Sequence, residues 1–219
     1  MDRKGQSLHL KAIDLTMGID NSMKVFPGSP QPSFITWSKY ETHGYYSEVM
    51  FLSTHTGTHI DAPAHFVQNS KTIDELDVSR FVTHAVLLRF PKDADQQITI
   101  DDIINYEINA NDTVILATGW ENQHDKDNYM SNNPGLSAEA AEYLANIKVN
   151  AVAIDGPSID RGIDNRFDSH SILLSNDIFI IENLCNLEKL GAAQSFTLIV
   201  NPLKLVGASG SPVRAIGLL

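Results

Sequence analysis

The chain has 219 residues, 42% of them hydrophobic, which allows a sizeable core and argues against disorder. Its 16 Lys and Arg stand against 27 Asp and Glu, a formal net charge of −11; nucleic acid and anionic membrane are excluded as expected partners, because both need a basic face. Cys185 is the sole cysteine, which rules out an internal disulfide and fits a reducing, cytoplasmic setting.

The opening stretch MDRKGQSLHLKAIDL lacks an apolar run of signal-peptide length, and no later stretch reads as a membrane span. In chain order, runs rich in Val, Ile, Phe and Thr predict strands at 10–17, 33–37, 47–54 and 83–90. A helix is expected over 99–106, capped by Thr99 with acidic residues in its first turn. After a strand at 112–120, Ser137 caps a second helix that runs to Lys148. A strand at 150–156 precedes a short helix over 169–175, opened by Ser169, and strands follow at 178–184, 195–202 and 213–219. The order is not a clean βαβ alternation, so the expected fold is mixed α/β: a large mixed sheet with flanking helices. No repeat, low-complexity tract or linker interrupts it, and a single domain over 1–219 is expected.

The stretch HTGTHIDAPAH, residues 55–65, crowds three histidines and an aspartate into eleven positions. In an extended strand His55, His59, Asp61 and His65 share a face, but His55 and Asp61 lie roughly 20 Å apart at about 3.3 Å per residue. One metal ion, bonded at about 2.0–2.2 Å, cannot collect ligands across that span. A helix aligns His55 with His59 but turns Asp61 away, and Pro63 disfavours its interior. If these residues act together, the chain curls after His55, where Gly57 supplies unusual backbone angles and Pro63 stiffens the exit. His9, His43, His84 and His124 have no such company and read as structural; His84, inside VTHAVLLRF, is expected in the core or in a cross-strand pair.

IFIIENL, residues 178–184, reads as a strand buried on both faces. Glu182 shares parity with Ile178 and Ile180, and a buried carboxylate is costly unless it is paired or bound to a metal. His170 offers a further nitrogen. With His55, His59 and Asp61 these two can complete a pair of metal sites.

The run His55-Thr-Gly-Thr-His59-Ile-Asp61-Ala-Pro-Ala-His65 resembles the HxGTHxDxPxH signature of the cyclase-type metal-dependent hydrolases, among them bacterial kynurenine formamidases and isatin hydrolases. VAIDGPSID at 152–160 is similar to that family's Asp-x-x-Ser-x-Asp turn, and SHSILL with IFIIENLCNLEKL to its second metal-binding region. The resemblance implies a swivelling β/β/α fold and subunits assembled as homodimers or homotetramers. It implies that His55 and His59 bind one zinc and His170 a second, that Asp61 and Glu182 bridge both, and that His65 gives and takes the proton. Phe26, in Phe26-Pro27-Gly28, stands where related formamidases carry a substrate-contacting Trp; it keeps an aromatic wall.

Nitrogen and carboxylate donors without thiolate suit zinc or manganese. The expected chemistry is hydrolysis of a small aromatic amide, of the N-formylkynurenine kind, at its carbon–nitrogen bond by metal-activated water, with His65 as general acid and base. A ring-opening cyclic amidase with one manganese, a lyase and a non-catalytic metal binder stay open; His65, surplus to a filled ligand shell, favours an enzyme. The GASGS at 207–211 is no nucleophile elbow. Cys185 is expected to pack as a small apolar group, and Asp155 and Asp160 either orient ligand histidines or cap turns.

Overall fold

A computed structural model describes residues 10–219; His9 lies outside them. In chain order the elements are β1 (Ala12–Asp14), β2 (Ser33–Ser38), α1 (Tyr40–His43), β3 (Ser47–Phe51), β4 (His59–Asp61), β5 (Val82–Arg89) and β6 (Gln97–Ile98). There follow α2 (Ile100–Ile103), β7 (Thr113–Ala117), β8 (Gly135–Leu136), α3 (Ala138–Ile147), β9 (Ala151–Ile154), α4 (Asp168–Ser175), β10 (Phe179–Glu182), β11 (Ser195–Pro202) and β12 (Gly210–Leu218).

Eight strands form one mixed sheet in the order β1-β12-β11-β5-β7-β9-β10-β4, and β4 pairs back onto β12 to close it. The β5-β7-β9-β10 segment is parallel, and the other pairings are antiparallel. The apolar runs of β7, β9 and β10 follow from burial on both faces. Alternate side chains sort into two cores: Ala85, Leu87, Ile60 and Ile181 join the one inside the closed sheet. Val86, Leu88 and Ile180 face outward and pack with Leu144 of α3 and Leu173 of α4.

α3 matches its expected bounds: the Ser137 hydroxyl accepts from the Ala140 N–H at 3.2 Å, and Lys148 ends the helix at φ 64°. The helix expected over 99–106 shortens to one turn, because β-branched Ile103 and Ile104 and then Asn105 support it poorly. Ser169 is not the cap of α4. That helix starts at Asp168, the Asp160 carboxylate accepts from the N–H groups of Ser169 and His170, and the Ser169 hydroxyl donates to Leu136 O at 2.8 Å. His84 is not in the core: its side chain is 55% exposed and reaches sideways to Asp112 at 2.9 Å. Among the described residues no helix is long and apolar enough to cross a membrane.

Candidate metal centre

Three segments converge on the outward face of β4 and β10. The chain turns at Gly57, φ +64°, where an added Cβ would come within 2.9 Å of Ile19 Cγ1. It then enters β4, so His59 and Asp61 project from one face while Ile60 points into the closed sheet. Antiparallel pairing with β10 sets Glu182 directly opposite His59. Pro63 opens a 3-10 turn that ends at His65. α4 packs over this face and delivers His170.

The donor atoms are close. His55 Nδ1 lies 2.7 Å from Asp61 Oδ1, and His59 Nε2 lies 3.4 Å from both Asp61 Oδ1 and Glu182 Oε2. His170 Nε2 is 3.2 Å from Glu182 Oε1 and 3.5 Å from Asp61 Oδ2. Two groups of three have ligand-type atoms within 4.8 Å of one another: His59, Asp61 and Glu182, and His55, Asp61 and His65. Asp61 belongs to both, and Glu182 to one. His65, expected outside the ligand set, thus sits at ligand distance, its ring stacked on His55 at 4.0 Å.

The surroundings dictate which nitrogens face inward. His59 Nδ1–H donates to Gly57 O at 2.9 Å, and His170 Nδ1–H donates to the Asp160 carboxylate, so both Nε2 atoms are turned to the carboxylates. Asp160 therefore orients a histidine. Asp155 does not: buried, it accepts from Thr118 N–H and hydroxyl and from Gly119 N–H, which makes it the turn cap. Burial opposes protonation of His59, but the charges of Asp61 and Glu182 outweigh it and lift its pKa to about 9. The same contest raises His170, while its imidazole neighbours hold Asp61 well below the usual carboxylate range against its burial. Burial of the His65 ring lowers its pKa to about 4; the Asp61 charge opposes this, and the three neighbouring imidazoles reinforce it.

Asp61 Oδ2 is buried with no hydrogen-bond partner. Two carboxylates at 0% and 4% exposure, one of them with an orphaned oxygen, and imidazole nitrogens turned to them fit a divalent cation. His55, His59, Asp61, His170 and Glu182 are the residues that would hold it.

A cavity of about 260 Å³ opens above this cluster. Phe26, Phe66 and Phe167 wall it, with Phe66 stacked on His170 at 4.8 Å and Phe26 and Phe167 at 6.3 Å. Phe26 sits at the start of a tight turn: its carbonyl accepts from Ser29 N–H at 2.9 Å, and Gly28 takes φ 92°. Cys185 is half-buried, and burial pushes its thiol up to about 11, which makes it a poor nucleophile.

Four contributors were not singled out from the sequence. Phe66 directly follows His65, and Phe167 precedes α4; neither has a signal beyond that neighbourhood. Asn183, φ 58°, donates to Gly57 O at 3.0 Å and accepts from the Tyr129 hydroxyl at 2.9 Å, locking the turn between His55 and His59. Ser209, in the GASGS stretch, lies 3.0 Å from His55 Nε2.

The model of the Cyclase family matches residues 13–161. A kynurenine formamidase of Bacillus cereus is 32% identical over 93% of this chain and 95% of its own length. That of Geobacillus thermodenitrificans is 31% identical over the same shares. Among solved structures, an isatin hydrolase bound to the product analogue thioisatinate superposes with a TM-score of 0.87 at 26% identity, covering 96% of this chain and 92% of its own. Isatin hydrolase A from Labrenzia aggregata gives 0.88 at 23% identity, over 96% and 94%. The matched span, the extent of the identity and the shared fold have one reading: the chain belongs to the cyclase family of metal-dependent hydrolases.

Proposed function

We propose that this protein is a metal-dependent amidohydrolase that cleaves the carbon–nitrogen bond of a small aromatic amide. The observation that carries the reading is the junction of an apolar, Phe-walled cavity with a buried donor cluster whose Asp61 Oδ2 accepts no hydrogen bond. Its small volume suits a substrate of one or two rings, at the low end of ligand pockets. A divalent ion, zinc or manganese, supplies an acidified water and polarises a carbonyl when bound. Asp61 and Glu182 offset its charge, and Asp160 and the Gly57 carbonyl hold two histidines in the tautomer that presents Nε2. Phe26, Phe66 and Phe167 exclude bulk water and stack on a ring. His65, neutral at pH 7 and on the cavity wall, accepts the proton of water and returns it to the departing nitrogen.

Open-chain N-formyl aryl amines and cyclic amides of the isatin kind both fit, in line with the activities for which the relatives are named. A second reading comes from the run Ser209–His55–Asp61, linked at 3.0 and 2.7 Å, which has the connectivity of a nucleophile triad. Ser209 is not among the residues lining the cavity, which favours the metal reading.

The test is turnover of N-formyl aryl amines, isatin and cyclic imides by zinc- and manganese-loaded protein, alongside elemental analysis. His59→Ala should lose metal and activity together. His65→Ala should keep metal and lose roughly 10²–10⁴-fold in kcat. Ser209→Ala should stay within a few-fold of wild type. A fully metal-loaded protein that opens none of these amides overturns the proposal, and abolition of activity in Ser209→Ala with metal retained hands it to the serine.

A further inference from the structure

Among the described residues, Lys24 is the one Lys or Arg that lines the cavity above the donor cluster. The other titratable groups of that lining, His55, His59, His65, His170 and Glu182, belong to the cluster itself. The Lys24 side chain is 30% exposed. Its apolar stem packs along the wall that Met23, Val25 and Phe26 form, and its ammonium reaches the rim, as long cationic side chains do. The partner at the rim is Asp127 Oδ1, 2.9 Å from Lys24 Nζ, on a carboxylate wholly open to solvent. An exposed pair of this kind is screened by water and salt and contributes little, so Asp127 holds the ammonium loosely.

Resting on the amidohydrolase reading, we infer that the substrate is an anion: an aryl amide whose carboxylate, remote from the scissile bond, replaces Asp127 on the Lys24 ammonium. The amide lies at the floor of the cavity, against the donor cluster, while the ammonium stands at the rim. A carboxylate meta or para to the amide nitrogen points toward that rim; an ortho one stays beside the floor. Charge makes the cation necessary. With a net charge of −11 the protein repels anions on approach, and a site for one needs a local positive group. The exchange of one carboxylate for the other is favourable. Asp127 stays fully hydrated when released, whereas the substrate carboxylate arrives beside apolar walls, where a charge-assisted hydrogen bond is stronger than in open water. A neutral substrate leaves Lys24 on Asp127 and gains nothing from it.

Kinetics of the metal-loaded full chain on formanilide and on the N-formyl derivatives of 2-, 3- and 4-aminobenzoate test this. Lys24→Met should raise KM for the 3- and 4-carboxylates roughly 10–100-fold, the scale of one hydrogen bond to a charged group, with kcat near wild type. Formanilide and the 2-carboxylate should change far less. Lys24→Arg should restore the preference. Asp127→Asn, which frees the ammonium, should lower KM for the 3- and 4-carboxylates a few-fold and leave formanilide alone. A clasp that only ties two loops together predicts the opposite: both variants would weaken toward every substrate alike. Calorimetric titration of 3-aminobenzoate, 4-aminobenzoate and aniline reads the same contact without turnover; Lys24→Met should weaken the two acids by the same factor and leave aniline unchanged. If wild type hydrolyses none of the four amides, the hydrolase reading fails, and the titration still decides the role of Lys24. Affinities for the two acids that Lys24→Met does not move, or a wild-type preference for formanilide over both carboxylates, would overturn the inference.

Discussion

Asp160 shows how much of this site is decided one residue away from it. Its carboxylate caps α4 through two N–H groups and fixes the His170 tautomer in the same stroke. Asp160→Asn keeps the shape and removes the charge that makes His170 a stronger donor. Metal affinity, measured by competitive chelator titration, should fall about 10–100-fold with the melting temperature nearly constant; an unaltered dissociation constant would show that the contact is a helix cap only. Glu121 gives a second residue-scale prediction, away from the centre. Burial, with the Asp155 and Glu188 charges, pushes its carboxyl from 4.5 up to about 7. A raised folded-state value means that the protonated form is favoured by folding: the contribution is complete below pH 4.5 and is lost as pH rises through 7. Glu121→Gln should therefore stabilise the protein at pH 8 by about 1 kcal/mol after discounting for partial exposure, or about 2–4 °C in Tm, and leave it unchanged at pH 4.5. An equal Tm gain at both pH values would trace the effect to packing instead. Residue types and spacing made His55, His59 and Asp61 legible in the sequence, because a short run held three ligand-type side chains around a glycine. Asn183 and Ser209 were not legible, since they reach the same loop from 126 and 154 positions away and carry no local pattern.

At the scale of elements, the long apolar strands and α3 were readable because each satisfies its own period and caps. β4 was not. Three residues between Gly57 and Pro63 are too few to display alternation, and their strand conformation comes from pairing with β10 and β12 rather than from propensity. The expectation of a curled loop was right at Gly57 and incomplete after it: a strand, not a loop, sets His59 and Asp61 on a common face. β12 shapes the site from the other side. Gly210 pairs with Asp61, and a Cβ there would stand 2.5 Å from His55 Cε1. Gly210→Ala should push the imidazole aside and cost about 10²-fold in kcat, the scale of a 1 Å misplacement. Gly18→Ala, with nothing within 4 Å of the added methyl, is the matched control. Equal turnover in the two variants would remove any need for His55 to hold its place.

At the scale of the molecule, closure of the sheet through β4 and β12 joins residues about 150 positions apart, and nothing local encodes it. Its consequence is that the donor cluster is assembled only in the folded chain: β4 brings His59 and Asp61, β10 brings Glu182 and α4 brings His170. An ion held there binds the native state and not the unfolded one, so it stabilises by mass action, by about 2.7 kcal/mol at a hundredfold excess over the dissociation constant. For a chain of 219 residues that corresponds to a rise in Tm of about 5–10 °C. Wild type scanned with added zinc or manganese should melt that much higher than after chelation, and the gap should grow with ion concentration. His59→Ala should show almost no gap, because its incomplete ligand shell leaves little affinity to lose. A wild-type Tm indifferent to both ions and to chelator would mean that the two buried carboxylates are satisfied by their histidines alone, and that the centre is a structural ion-pair network.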